Sequence, residues 1–228
     1  MTTSIQTKDF ALDDLLRKIP NQIDSLRSIR ETFLTDAVLL GEIPSPTFGE
    51  EERIRLALDR FRENGMEDPT LDEFGNASGL LRGTSGESAI LVMAHADSVF
   101  SSETRHVLEV GSDHITGPGI ADNAIGLAAV VALPKLLEHL NIRFKDDLLL
   151  LANVKSLGRA NLEGARGFLE TMRRPVRAGI CVEGSSLGRL SYSGLGALRS
   201  EITLNIPNDY DWSSFGAAGA ISHLNRLI

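Results

Sequence analysis

Apolar and charged positions alternate at helical spacing from residue 9 to 40, through Leu12, Leu15, Leu16, Ile23, Leu26, Ile29 and Phe33. That period predicts helix, and Pro20, which lacks an N–H, is expected to split it in two. A turn is expected at Ile43-Pro44-Ser45-Pro46-Thr47. Thr47 is then placed to cap a helix opening with Gly49-Glu50-Glu51, whose acidic residues suit a first turn. This helix should end near Asn64-Gly65. Beyond Gly65 the period changes, and short apolar runs alternate with longer amphipathic ones, the pattern of β-α-β units. Strands are expected over 79–82, 89–94, 147–154 and 178–183, and helices over 123–140 and 162–173. The run Leu148-Leu149-Leu150-Leu151 suits a strand buried on both faces.

The fold class read from this pattern is α/β, a three-layer sheet flanked by helices over residues 1–195. From 196 to 228 the chain offers one alternating stretch, 200–206, and one helical stretch, 213–228. A strand and a helix make a poor domain alone, so this part reads as a stub of a second, lid-like domain. Composition narrows the class. The chain has 228 residues, 42% of them hydrophobic, and a formal net charge of -8. That content builds a core, and the charge argues against nucleic acid or an anionic membrane as partner. No run approaches the ~18 consecutive apolar residues of a membrane span, and the N-terminus has neither a basic start nor an apolar core of a signal peptide. The single cysteine, Cys181, excludes an internal disulfide and fits a cytoplasmic location; within an apolar run it is expected to be a buried thiol.

Three polar positions stand at strand ends, where α/β sheets place their sites. His95-Ala96-Asp97 follows the strand at 89–94. A metal-binding histidine gives its second ring nitrogen to a carboxylate or carbonyl, and Asp97 is two residues on, although a lone histidine here is more often structural. Asp122, in Gly117-Pro118-Gly119-Ile120-Ala121-Asp122-Asn123, lies at the start of a helix and, taken alone, reads first as its N-cap. Glu183 closes an apolar strand, where a carboxylate must be paired, solvated or bound to metal.

Taken together and in this order, these motifs resemble a known family. Ile43-Pro44-Ser45-Pro46 with Glu50-Glu51, His95-Ala96-Asp97-Ser98-Val99-Phe100, Gly117 to Asn123 with Gly126-Leu127, and Val182-Glu183-Gly184 are similar to the dinuclear zinc exopeptidases and amidohydrolases. That family includes peptidase T, carboxypeptidase G, aminoacylase and acetylornithine deacetylase, and the resemblance runs from about residue 30 to the end. It implies that His95 and Glu183 ligate one zinc, that Asp122 bridges to a second, and that Asp97 orients His95. It also implies a Glu-Glu pair, the general base and a second-zinc ligand, where this chain has Ser156 and Leu157 within Val154-Lys155-Ser156-Leu157-Gly158. Lys155 is expected to bring opposing positive charge toward that half of the centre.

The family's lid histidine falls on Tyr210, within Asn208-Asp209-Tyr210-Asp211-Trp212 and before Phe215-Gly216. The lid and return segment that supply a last zinc-binding histidine have no counterpart, and His223 falls in the closing helix. The expectation is one zinc site, the second lost, in a truncated and weak or inactive amide hydrolase. Its partners would be a small peptide or acyl-amino acid, with a homodimer or partner chain through the lid stub. Two other readings stand beside it: a hydrolase completed by another chain, and a non-catalytic interaction module using 200–206. Arg189 and Arg199 are read as solvated surface residues.

Overall fold

The computed structural model describes residues 9–184, 188–194, 196, 202–205 and 219–226. The chain divides into two units, Met1–Leu187 and Gly188–Ile228.

The first unit is built on a five-stranded mixed sheet in the order β1-β2-β6-β3-β7. Its strands are β1 (Glu67–Leu71), β2 (Ala77–Leu81), β3 (Ala89–His95), β6 (Asp147–Asn153) and β7 (Val176–Cys181), with a small separate hairpin of β4 (Glu109–Val110) and β5 (Ile115–Thr116). β6 pairs parallel with β3 and antiparallel with β2, and β3 pairs parallel with β7. The two central strands are the expected apolar runs, and Leu148, Leu150 and Leu151 are buried on both faces.

The helices are α1 (Asp9–Leu26), α2 (Arg30–Glu42), α3 (Glu51–Glu63), α4 (Ile125–His139) and α5 (Glu163–Thr171). Helices α2, α3 and α4 share one core, in which Leu40, Phe61, Leu127, Val130 and Val131 meet Val92, Leu150 and Ala152 of the sheet. The crossover β3–α4–β6 steps one way along the sheet, and β6–α5–β7 steps back past β3. With right-handed crossovers the two helices lie on opposite faces, and α4 packs on β3 and β6. The segment Ile120–His139 has the length and mean apolarity of a membrane span, although Asp122, Asn123, Lys135 and Glu138 interrupt its apolar run. In this fold it supplies the core helix.

Other expectations are corrected. Pro20 lies inside α1, exposed, and the break comes at a 3-10 turn over Arg27–Ile29. No side chain caps α3, which begins at Glu51 after Glu50; Thr47 is engaged elsewhere. Cys181 is exposed, because β7 is an edge strand with almost every residue open. Beside β7 runs an apolar groove of about 340 Å³, lined by Ile90, Val92, Leu133, Leu136, Phe144 and Ile180 among others.

In the second unit, described residues 202–205 form no strand, and the described part of the closing helix is α6 (Ala220–Leu224), which holds His223. Arg189 is exposed and donates to the Ser191 hydroxyl (3.1 Å). Arg199, Tyr210 and the run from Asn208 to Gly216 lie outside the described residues.

Candidate metal centre

The direction of the crossovers reverses between β3 and β6, so their carboxyl ends flank the crevice where α/β sheets build sites. β3 delivers His95, in register with Asn153 of β6. The chain leaving β7 stays alongside β3 through Val182, whose N–H donates to the Met93 carbonyl (2.8 Å). Glu183 therefore arrives next to His95.

Asp122 reaches the same point from the other side. It is not a helix N-cap: with φ -138 and ψ 88 it sits in a π-type turn, Ile120–Ala124, that precedes α4. The turn opens at Gly119, whose φ of +73 suits glycine and where a Cβ would fall 2.9 Å from the Ser98 hydroxyl. The result is a convergence of three donors. His95 Nε2 lies 3.0 Å from Asp122 Oδ1 and 3.6 Å from Glu183 Oε2, and the three ligand atoms lie within 4.8 Å of one another.

The far side of the ring is anchored. His95 Nδ1 lies 2.9 Å from the Asp97 carbonyl oxygen and 3.3 Å from its Oδ1. Asp97 is fully buried, and its Oδ2 accepts from the Thr47 hydroxyl (2.9 Å) and the backbone N–H groups of Ser156 (3.0 Å) and Leu157 (2.8 Å). Burial alone would raise the Asp97 pKa, but the hydrogen bonds from His95, Leu157 and Thr47 outweigh it and hold the group below the usual carboxylate range. For His95, burial disfavours charge, yet Asp97 and Glu183 outweigh it and push the imidazole up to about 10.

The turn ahead of α3 closes on the same strand end. Ser45 donates its hydroxyl to the Ala96 carbonyl (2.8 Å), and the buried Arg53 guanidinium donates to the carbonyls of Ala96 (2.9 Å) and Ile43 (2.5 Å). Burial lowers the Arg53 pKa to about 10, Asp97 opposing.

Ser156 and Leu157 stand where the resemblance places the acidic pair, and the segment 154–158 holds no carboxylate. The backbone N–H groups of Ser156 and Leu157 serve Asp97, while the Ser156 hydroxyl accepts from Asn153 (2.6 Å). Lys155 does not point positive charge at the centre as expected; its ammonium pairs with Glu163 on α5 (2.8 Å). A second buried acid beside this loop is Glu50, which accepts the Lys155 N–H (2.8 Å) and whose pKa is raised by burial. Sequence reasoning missed Arg53 and Asn123. Arg53 had a signal, since it shares the apolar stripe of α3 with Ala57 and Phe61 at four-residue spacing.

One imidazole and two carboxylates are the donor number and type of a three-ligand zinc site with an open position. The excess of acid around His95 suits a divalent cation in place of a proton.

The model of Peptidase family M28 matches residues 76–182, a segment that holds His95, Asp97 and Asp122 and stops one residue short of Glu183. No curated protein sequence matches the chain. Among solved structures, the chain resembles aminopeptidase PepT from Bacillus cereus at 21% identity and TM-score 0.55, over 67% of this chain and 43% of that one. It resembles the di-peptidase Dug1p from Saccharomyces cerevisiae at 11% identity and TM-score 0.60, over 71% of this chain and 40% of that one. Aminopeptidase APDkam598 from Desulfurococcus kamchatkensis aligns at 13% identity and TM-score 0.55, over 73% of this chain and 69% of that one. The chain thus spans well under half the length of PepT and Dug1p. At these identities the structural likeness establishes the fold, a zinc-peptidase catalytic-domain sheet. In its matched segment, just under half of the chain, and in that fold, the chain is similar to the M28/M20-like zinc exopeptidases.

Proposed function

We propose that this chain binds one zinc ion through His95, Asp122 and Glu183, and that it is weak or inactive as an amide hydrolase. The observation that carries the reading is a complete three-donor cluster beside a loop, Lys155 to Leu157, without a carboxylate. When bound, zinc supplies Lewis acidity and a more acidic water. Asp97 fixes the His95 ring so that Nε2 faces the ligand position, and Asp122 and Glu183 bring the charge that balances a dication. No side chain of the 154–158 segment takes the proton that hydrolysis must remove. Ser156 is a poor base at neutral pH, and the loss of general-base assistance costs about 10²–10⁴-fold. The substrate class that fits the kinship is a small peptide or acyl-amino acid.

The test is zinc stoichiometry and affinity of the purified chain beside H95A and E183A, together with hydrolysis of a dipeptide panel. About one zinc per chain, lost in both variants, with turnover at least ~10²-fold below that of an active peptidase assayed in parallel, is expected. Two zincs per chain, or full turnover, overturns the reading. A second reading is favoured by the chain's partial coverage of PepT: a further segment or chain completes the hydrolase. It predicts that full turnover appears only on adding that part.

A further inference from the structure

Asp122 and Glu183 come from segments far apart in the chain, and their side chains are 57% and 50% exposed, so packing around the carboxylates themselves cannot fix their separation. One fully buried side chain joins the two segments. Asn123, the residue after Asp122, donates from Nδ2 to the Val182 carbonyl (2.8 Å), and its Oδ1 accepts the Gly184 N–H (3.1 Å). These are the two peptide groups that bracket Glu183.

A primary amide is a rigid plane with donor and acceptor side by side. Bound at both ends, it sets the distance and the rotation of the Val182–Gly184 segment at once. Aspartate lacks the donor, and leucine lacks both functions.

The backbone is cleared for this contact. A Cβ at Gly126 would lie 2.1 Å from Asn123 Oδ1 and 2.8 Å from the Val182 carbonyl oxygen, and one at Gly184 would lie 2.2 Å from the Ile125 side chain and 2.6 Å from the Ala121 carbonyl oxygen. Only segments with glycine at both places can approach so closely.

Resting on the reading of His95, Asp122 and Glu183 as a metal site, we infer that Asn123 is the positioning residue of that site, a clamp that holds Glu183 at ligating distance from Asp122 and His95. Groups that orient metal ligands without touching the metal cost about 10–100-fold in affinity when removed.

The experiment measures zinc affinity and the visible spectrum of bound Co²⁺ for the wild-type chain, N123A and L137A. Leu137 is buried near the far end of α4, about 20 Å along the helix from Asn123 at 1.5 Å per residue, and L137A controls for general loss of stability. N123A is expected to lose ~10–100-fold in zinc affinity and to change the Co²⁺ bands, while L137A keeps both. Equal affinity and spectrum in N123A and wild type overturns the clamp, as does an equal loss in L137A.

If N123A does not fold, amide exchange at Gly184 in the wild-type chain decides. The clamp requires that amide to be protected without metal and slowed further by zinc; exchange at the rate of an unstructured amide overturns it. Failure of the metal reading looks different, since the wild-type chain itself would bind no zinc, and the inference would fall with it.

Discussion

The buried carboxylate of Asp97 makes the sharpest quantitative test. The substitution D97N keeps its shape and removes its charge. Three donors, the Thr47 hydroxyl and the Ser156 and Leu157 N–H groups, converge on one Asp97 oxygen. A hydrogen bond to an ionised group contributes roughly 1.5–3 kcal/mol and a neutral one roughly 0.5–1.5 kcal/mol, so neutralisation weakens each by about 1 kcal/mol. Relief of the buried charge offsets part of this. The expected net loss is about 2–3 kcal/mol, a drop in Tm of about 5–10 °C for a chain of this size.

The Asp97 pKa in the folded chain lies below its ordinary value of 3.8. Its contribution is therefore present above that value and lost as pH falls through the lower, folded one. Below the pH at which His95 titrates in the variant, the gap between wild type and D97N should stay constant down to pH 5 and narrow only in stronger acid. Urea unfolding with a chelator present reads the gap, and zinc titration of the same samples should show a ~10–100-fold loss. Equal midpoints at pH 7 would refute the claim that the charge of Asp97 ties the 155–157 loop to the end of β3.

Three further outcomes are expected. With its pKa raised from 6.5 to about 10, His95 holds a proton in the metal-free chain, so zinc must displace it. Apparent affinity should climb about tenfold per pH unit between about pH 6.5 and 9, with one proton released per zinc by calorimetry in two buffers; a flat profile counts against His95 as ligand. Stability of the metal-free chain gains from His95 fully below pH 6.5 and loses that gain as pH rises through about 10. L150A, at a fully buried position of β6, should cost about 2–5 kcal/mol with an unchanged denaturant slope, and a cost under about 1 kcal/mol would mean the sheet core is not where it is placed.

What the sequence made legible was whatever depended on neighbours along the chain. β3 and β6 announced themselves as unbroken apolar runs, and His95 and Glu183 were found because each interrupts such a run with a polar group at its carboxyl end. β1 was not legible: its sequence Glu67-Asp68-Pro69-Thr70-Leu71 is mostly exposed, and only pairing with β2 makes it a strand. Thr47 was read as a cap because capping is a local contact, whereas its partner Asp97 lies 50 residues on. Asn123 escaped for the same reason, with its partners Val182 and Gly184 at separations of 59 and 61. Cys181 was taken as core because its run is apolar, but apolarity does not reveal that β7 ends the sheet.

The two rims of that sheet differ in kind. β1 carries Pro69, a left-handed Asp68 at φ +50, a bulge between Glu67 and Thr70, and an ion pair from Glu67 to Arg82, devices that discourage another strand from joining. β7 carries no proline and no carboxylate, and Ile180 is half exposed on it. Among the described residues, growth of the sheet is less obstructed at β7, where Arg177 is the one charged side chain, than at β1. Among the described residues, two copies meeting at their β7 rims would present the blunted β1 rims outward, which disfavours growth beyond a pair by this route.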